Sequence, residues 1–307
     1  MKNNTIYVIT HSEFNHEGIG KTPIDPRFIQ SEKNYIYFLI DNQCPAALQG
    51  KNIIYEKTFG EILQKAGKTQ LAEWTFLLAE AEHSFCEYPL FFISSRFYQK
   101  NYWLAQDLDE EWDRLFSYFD EYEYGVLPSY DRKFDWYDIW VDASLEQHKQ
   151  APFTFYPAFF ALYQKLYGIA IPDEYRYSSD FWCNYIGFRD RSALLDYVNF
   201  HKKIINYFFN EKYELKVDLS EYILSKNRYR DEKPFTFALE LYSKAFFFDN
   251  QKKYFGLHYD GYYEIDERQK KYTQIFVFKK LNFRKLYRII THIRNIKIRL
   301  FRFLLQF

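Results

Sequence analysis

Apolar positions along the chain follow two periods. Thr5 to Thr10 (TIYVIT) is an unbroken β-branched and aromatic run ending at His11 and Ser12, which predicts a strand buried on both faces. Tyr35 to Ile40 (YIYFLI), Asn52 to Tyr55, Pro89 to Ile93 (PLFFI), Tyr124 to Leu127 and Tyr185 to Phe188 predict further strands. In Thr69 to Glu82, apolar residues at 71, 74, 77, 78 and 81 recur at helical spacing, with Thr69 placed as the N-cap. Leu108 to Tyr122, Phe153 to Tyr167, Arg191 to Phe209 and Pro234 to Phe248 predict more helices, the last with Pro at its start. Residues 13 to 34, with Gly18, Gly20, Pro23 and Pro26, read as a long loop, a feature that is uncommon unless it covers something. Strands alternating with helices indicate an α/β chain.

Composition adds a core and a charge asymmetry. At 307 residues, with 33 Phe and 30 Tyr against one Met, the interior is built from large rings whose hydroxyls need partners. Cys44, Cys86 and Cys183 are scattered and odd in number, which fits a reducing cytoplasm better than a disulfide framework or a zinc site. No stretch offers about 20 uninterrupted apolar residues, so no transmembrane helix is expected. Formal net charge is zero, yet twelve of the 41 basic residues and none of the 41 acidic ones lie from Arg268 onward. The body therefore carries about −12 and the end of the chain about +12, a polarity that points to an anionic partner for the tail. The division that follows is a domain over residues 1–278 and a tail over 279–307.

Several familiar chemistries are missing from the sequence. There is no G-x-x-x-x-G-K-[ST] loop, no G-x-G-x-x-G and no G-x-S-x-G. Gly18-Ile19-Gly20-Lys21-Thr22 is half a phosphate loop without its first glycine. No two histidines stand at i, i+4, so an H-E-x-x-H metal helix is excluded. His258 and Asp260 are close enough to share a metal ion; equally, Asp260-Gly261 is the turn of a hairpin. Asp135 and Asp138, in FDWYDIW, suit a general base or a hard-cation ligand, because aromatic flanks desolvate a carboxylate; they also suit a helix cap or a solvated face. Asp107 and Asp109 belong instead to the acidic start of a helix.

The order of segments resembles the GT-A class of nucleotide-sugar glycosyltransferases found in bacterial capsule and lipopolysaccharide gene clusters. A strand of the form I-Y-V-x-T-H is matched by Ile6 to His11, and a helix with E-L-T-A-L-Y-W by Glu73-Trp74-Thr75-Phe76-Leu77. H-Y-R-R-Y after a strand is matched by Ser94-Ser95-Arg96-Phe97-Tyr98, and Y-D-V-I-L-P by Tyr122 to Pro128. N-x-F-x-x-K resembles Asn184 to Arg189, and F-x-x-E-R-L-L resembles Phe237 to Tyr242. The likeness spans most of residues 5 to 245 in order. Ser94, Ser95 and Phe97 replace His, Tyr and Arg of the third motif, Leu241 replaces the Arg after Glu240, and no D-x-D follows PLFFI.

The resemblance implies a GT-A-like mixed sheet flanked by helices and transfer of a sugar from a nucleotide diphosphate donor, a UDP-sugar, to a lipid-linked or oligosaccharide acceptor. A divalent metal, Mn²⁺ or Mg²⁺, is an open expectation. Thr10, His11, Glu73, Ser95 and Arg96 would hold the donor, Arg96 facing the diphosphate with its forked guanidinium. Asp135, Asp138 and Glu240 would be the catalytic carboxylates, and Trp182 and Asn184 would meet the acceptor. The alternative is a noncatalytic carbohydrate- or partner-binding protein with the same fold. Nucleic acid is not an expected partner, since the acidic body repels phosphate and no nucleic-acid motif is present.

On a helical wheel, Phe283, Leu286, Tyr287, Ile290, Ile293, Leu300, Phe301 and Leu304 share one face, opposite Arg284, Lys285, Arg288, His292, Asn295, Arg299 and Arg302. The tail is thus expected to be a basic amphipathic helix. It suits the surface of an anionic membrane, or packing of its apolar face on the body. Together these readings expect a cytoplasmic protein held peripherally on the inner membrane.

Overall fold

The computed structural model describes residues 4–10, 24, 28–29, 31, 33–40, 44–66, 71, 73–95, 97, 108–127, 156–170, 185–218, 239, 242–243, 245–247, 254–258, 261–266 and 271–276. Nine strands form one mixed sheet: β1 (Thr5–Thr10), β2 (Tyr35–Leu39), β3 (Asn52–Tyr55), β4 (Leu90–Ser94), β5 (Tyr124–Leu127), β6 (Tyr185–Phe188), β7 (Tyr254–His258), β8 (Gly261–Asp266) and β9 (Lys271–Phe276). Their order is β3-β2-β1-β4-β6-β5-β7-β8-β9. The first four in that order are mutually parallel; β6 runs antiparallel between β4 and β5, and β7 is parallel to β5. β7 and β8 pair antiparallel with His258 opposite Gly261, while Asp260 lies outside the described residues. β9 adds an edge strand that no apolar run in the sequence predicts.

Helices cover both faces. They are α1 (Glu61–Ala66), α2 (Trp74–His83), α3 (Leu108–Ser117), α4 (Tyr156–Tyr167) and α5 (Arg191–Phe208). Successive strand residues point to opposite faces, so a strand covered on both sides must be apolar throughout. Tyr7 and Ile9 of β1 join Phe38, Phe92, Val126 and Ile186 in a core with α2, α4 and α5. Ile6 and Val8 join Tyr37, Phe91, Ile93 and Tyr185 in a second core against Trp112, Leu115 and Phe116 of α3. Leu239, Tyr242, Ala245, Phe246 and Phe247, all helical, complete the first.

Boundaries differ from the periodicity in two places. The α-helical hydrogen bonding of α2 starts at Trp74, with Glu73 as its N-cap residue, while Thr69 lies outside the described residues. The helix from Leu108 ends at Ser117 and tightens into a 3₁₀ turn over Tyr118–Asp120, which carries Phe119 into the core. Phe91, Phe119 and Phe255 need room, and two facing glycines provide it. Gly125 and Gly187 are partners across β5 and β6, and a Cβ on Gly187 would stand 2.6 Å from Phe119 Cζ and as close to Phe91. The aromatic core therefore requires a strip of sheet without side chains.

Candidate functional site

β1 is flanked by β2 on one side and β4 on the other, and the chain visits β2 and β3 before crossing back to β4. The connections leaving β1 and β4 thus diverge, and a crevice at the carboxyl ends of two such strands is where open α/β sheets bind ligands. The edge is well pinned. Ile9 pairs with Ser94, the Ser95 amide donates to the Ile9 carbonyl at 2.9 Å, and the Ile40 amide donates to the Thr10 carbonyl at 3.0 Å. Thr10 is buried, whereas Ser94 and Ser95 are half-buried.

Because β6 is antiparallel, its first residue, Tyr185, stands at the same edge as the last residue of β4. The Tyr185 hydroxyl and Ser94 Oγ are 3.1 Å apart. The Tyr185 ring is fully buried, edge-on to Phe97 at 5.0 Å between centroids. Leu127 ends β5 and His258 ends β7, both parallel strands, so these ends open on this edge as well.

Of the residues singled out in the sequence, the structure describes Thr10, Glu73, Ser95 and the backbone of His258. Glu73 precedes α2 and is half-buried; its carbonyl accepts from the Phe76 amide at 3.3 Å. His11, Arg96, Asp135, Asp138, Trp182, Asn184, Glu240, Asp260 and the tail 279–307 lie outside the described residues. In sequence, His11 follows Thr10, Arg96 follows Ser95, Asn184 precedes Tyr185, and Asp135 and Asp138 belong to the segment after Leu127. The four strand ends concerned, of β1, β4, β6 and β5, share one edge of the sheet.

The polar groups that sequence reading passed over lie elsewhere. Glu80 of α2 is completely buried and accepts from the amides of Phe85 (2.7 Å) and Cys86 (2.8 Å) and from the Tyr88 hydroxyl (2.9 Å). Arg191 at the start of α5 faces it at 3.6 Å and also donates to the Ala81 carbonyl at 2.9 Å. This hub ties the end of α2 to the approach to β4. Burial first, then the Glu80 charge, pushes the Cys86 thiol and the Tyr88 phenol up, so neither is an ionised nucleophile.

A cleft of about 340 Å³ lined by Glu123, Arg189, Asp190, Asp196 and Asn199 occupies the edge where the parallel strands begin, opposite the carboxyl ends of β1 and β4. Its groups are already engaged with each other. Asp190 N-caps α5 through the Ala193 amide at 3.0 Å and accepts from Arg189 Nε at 3.0 Å; Tyr124 donates to Asp196 at 3.2 Å. Partial burial pushes the Asp190 carboxyl up, but the Ala193 amide and the Arg189 guanidinium outweigh it and hold it below the usual carboxylate range.

His201 is the third buried group. Its Nδ1 lies 2.8 Å from the Tyr197 carbonyl and its Nε2 3.3 Å from Ser243 Oγ, while Ser243 makes a short hydrogen bond with the Tyr197 hydroxyl and donates to the Leu239 carbonyl at 2.8 Å. A Ser-His pair sealed in the core has no route to a substrate; here it joins α5 to the helical residues 239–247. Among the described residues no three His, Cys, Asp or Glu side chains gather closely enough to hold a metal ion, and no helix is long and apolar enough to cross a membrane. In comparisons with known proteins, the chain matches no family model, no curated protein and no solved structure.

Proposed function

We propose that the chain is a GT-A-type glycosyltransferase that moves a sugar from a nucleotide diphosphate donor, a UDP-sugar, to a growing bacterial surface glycan of the capsule or lipopolysaccharide kind. One observation carries this reading: the connections leaving β1 and β4 diverge at the carboxyl ends of those strands, the position at which α/β sheets take nucleotides, and four of the motif segments adjoin strand ends on that edge. Such a transferase must neutralise charge on a departing diphosphate and take a proton from an acceptor hydroxyl. Arg96 would serve the first task; Asp135 or Asp138, with Glu240, would serve the second. Thr10, His11, Glu73 and Ser95 would complete the donor site, and Trp182 and Asn184 the acceptor side.

The described groups at this edge, Thr10, Ser94, Ser95 and Tyr185, are hydroxyls, which do not make a site for a hard divalent cation without carboxylates. No step of the reaction is assigned to a metal. The neutral Ser94-Ser95 pair also favours a second reading, a protein of this fold that binds without turnover. The basic stretch 279–307 supplies the address in either case, holding the crevice near lipid-linked acceptors on the cytoplasmic face of an anionic membrane.

The test is incubation of the full chain with a panel of nucleotide sugars and bacterial lipid extract, with and without Mn²⁺, followed by release of nucleoside diphosphate. Release from one donor supports the transferase. Binding without release supports the second reading, and neither binding nor release removes both.

A further inference from the structure

We infer that the seam between α4 and α5 is a second contact with the anionic membrane surface, one that turns the carboxyl ends of β1 and β4 toward the lipid. This rests on the membrane-address reading above and adds a surface to it.

The seam is basic in an acidic body. From Tyr156 to Ala170 and from Tyr197 to Asn210 the chain holds Lys165, Lys202 and Lys203 and no acid, whereas residues 1–267 carry about −12. Lys165 of α4 lies over the Tyr207 ring of α5 at 5.3 Å, and Lys203 of α5 lies over the Tyr167 ring of α4 at 5.0 Å. The two pairs cross the seam in opposite senses. Both lysines are exposed, and no described carboxylate pairs with either. Asp196, the one acid of α5, stands two turns before Lys203 and accepts from Tyr124. Beyond Phe209 the charges of Glu211, Lys212, Glu214 and Lys216 cancel.

A lysine laid on a tyrosine ring keeps its methylenes on the protein and its ammonium in water, and tyrosine has the same split between apolar body and polar tip. Such groups suit the headgroup layer of a bilayer better than a dry protein interface, from which lysine is depleted. Ile169, two residues beyond Tyr167, leaves 49% of its surface in water, an apolar group that a bilayer would cover.

The course of α5 places this surface. Arg191 at its start meets Ala81 near the end of α2, and ten residues later His201 lies against Trp74 at the start of α2. Because α2 ends at His83, shortly before β4 begins, its start lies toward the carboxyl ends of the parallel strands. Lys203 and Tyr207 therefore belong to the half of α5 nearer that edge. β9 is antiparallel to β8, and β8 to β7, so Phe276 also ends on that edge, and the tail begins at residue 279. Each lysine near an anionic surface is worth about fivefold in affinity, too little for the seam to hold the chain alone. The tail brings the chain to the bilayer, and the seam sets the orientation that one anchor leaves open.

The test is sedimentation of the full chain with vesicles of phosphatidylglycerol and phosphatidylcholine, titrated in lipid, for the natural chain and three double variants. Lys165→Gln with Lys203→Gln is expected to weaken binding about ten- to thirtyfold. Lys33→Gln with Lys51→Gln removes the same charge just before β2 and β3, on the opposite edge, and should weaken it less than about threefold. Lys165→Arg with Lys203→Arg should bind like the natural chain. Equal losses in the two Gln pairs would reduce the effect to net charge and overturn the inference. Unchanged vesicle affinity in the first pair overturns it as well, whether the seam then proves on sedimentation velocity to hold a second copy of the chain or nothing. Should the first pair fail to fold, Ile169→Ser carries the test: a loss of about three- to tenfold is expected, and unchanged affinity overturns the inference. A natural chain that binds no phosphatidylglycerol vesicle overturns the membrane address itself, a result distinct from the others.

Discussion

The imidazole of His201 lies 4.5 Å from the indole of Trp74, centroid to centroid, deep in the core between α5 and α2. Burial pushes its pKa down from 6.5 to about 3, against the smaller opposing effects of its hydrogen bonds to backbone. The unfolded chain therefore binds a proton that the folded chain refuses. Stability from this group is full above pH 6.5 and is lost as pH falls from there toward 3. Urea unfolding at pH 7 and pH 5, compared with His201→Phe, should show the natural chain losing about 2 kcal/mol more than the variant. Equal losses would mean that His201 is already charged in the fold.

Glu80 makes the stronger structural demand. Its carboxylate accepts three hydrogen bonds with no exposure to water, and Arg191 is the cation facing it. Glu80→Gln keeps the size but removes the charge facing Arg191 and puts an NH₂ in place of one oxygen, against either the two amides on Oε2 or the Tyr88 phenol on Oε1. The expected cost is about 3 kcal/mol, read from the urea midpoint. A loss smaller than about 1 kcal/mol would show the hub to be dispensable.

Much of this fold was legible locally, and the rest depends on distant partners. β1, β5 and β6 fall where unbroken apolar runs put them, because strands covered on both faces leave no polar positions, and β3 has its expected bounds although it is a partly exposed edge strand. Glu80 was not legible: helical spacing assigns Ala81 to the apolar stripe and Glu80 to its margin. Ala81 does pack against the core, but Glu80 is buried more deeply, since turn amides from 85 and 86 fold back onto the carboxylate. β9, KYTQIF, alternates weakly and owes its existence to pairing with β8. The antiparallel insertion of β6 between β4 and β5 is likewise a non-local fact, and it alone brings Tyr185 to Ser94. Of the site, Thr10 and Ser95 were readable as polar ends of apolar strands, whereas Tyr185 looked like one more core ring.

Gly187 offers a sharper test of core packing than any truncation. Its missing Cβ is the space that Phe91 and Phe119 fill. Gly187→Ala should lower stability by about 1–3 kcal/mol through overpacking, despite alanine's usual advantage over glycine. Thermal unfolding measures it, and a melting temperature at or above that of the natural chain would contradict the packing described.

The charge asymmetry predicts salt-sensitive membrane binding. The full chain should sediment with vesicles containing phosphatidylglycerol and much less with phosphatidylcholine alone, and raising salt should release it. Removing residues 279–307, which hold nine Lys or Arg and no acid, should abolish sedimentation. Equal binding by both forms would refute the address.

The central claim is that a nucleotide diphosphate binds at the carboxyl ends of β1 and β4, where the connections diverge. Thermal-shift measurement of the full chain against nucleoside diphosphates and nucleotide sugars at about millimolar concentration tests it most directly, because a ligand that binds only the folded state raises the melting temperature by mass action. The account predicts a clear rise with at least one nucleotide, lost in Arg96→Ala at unchanged ligand-free melting temperature. No rise with any nucleotide would contradict it.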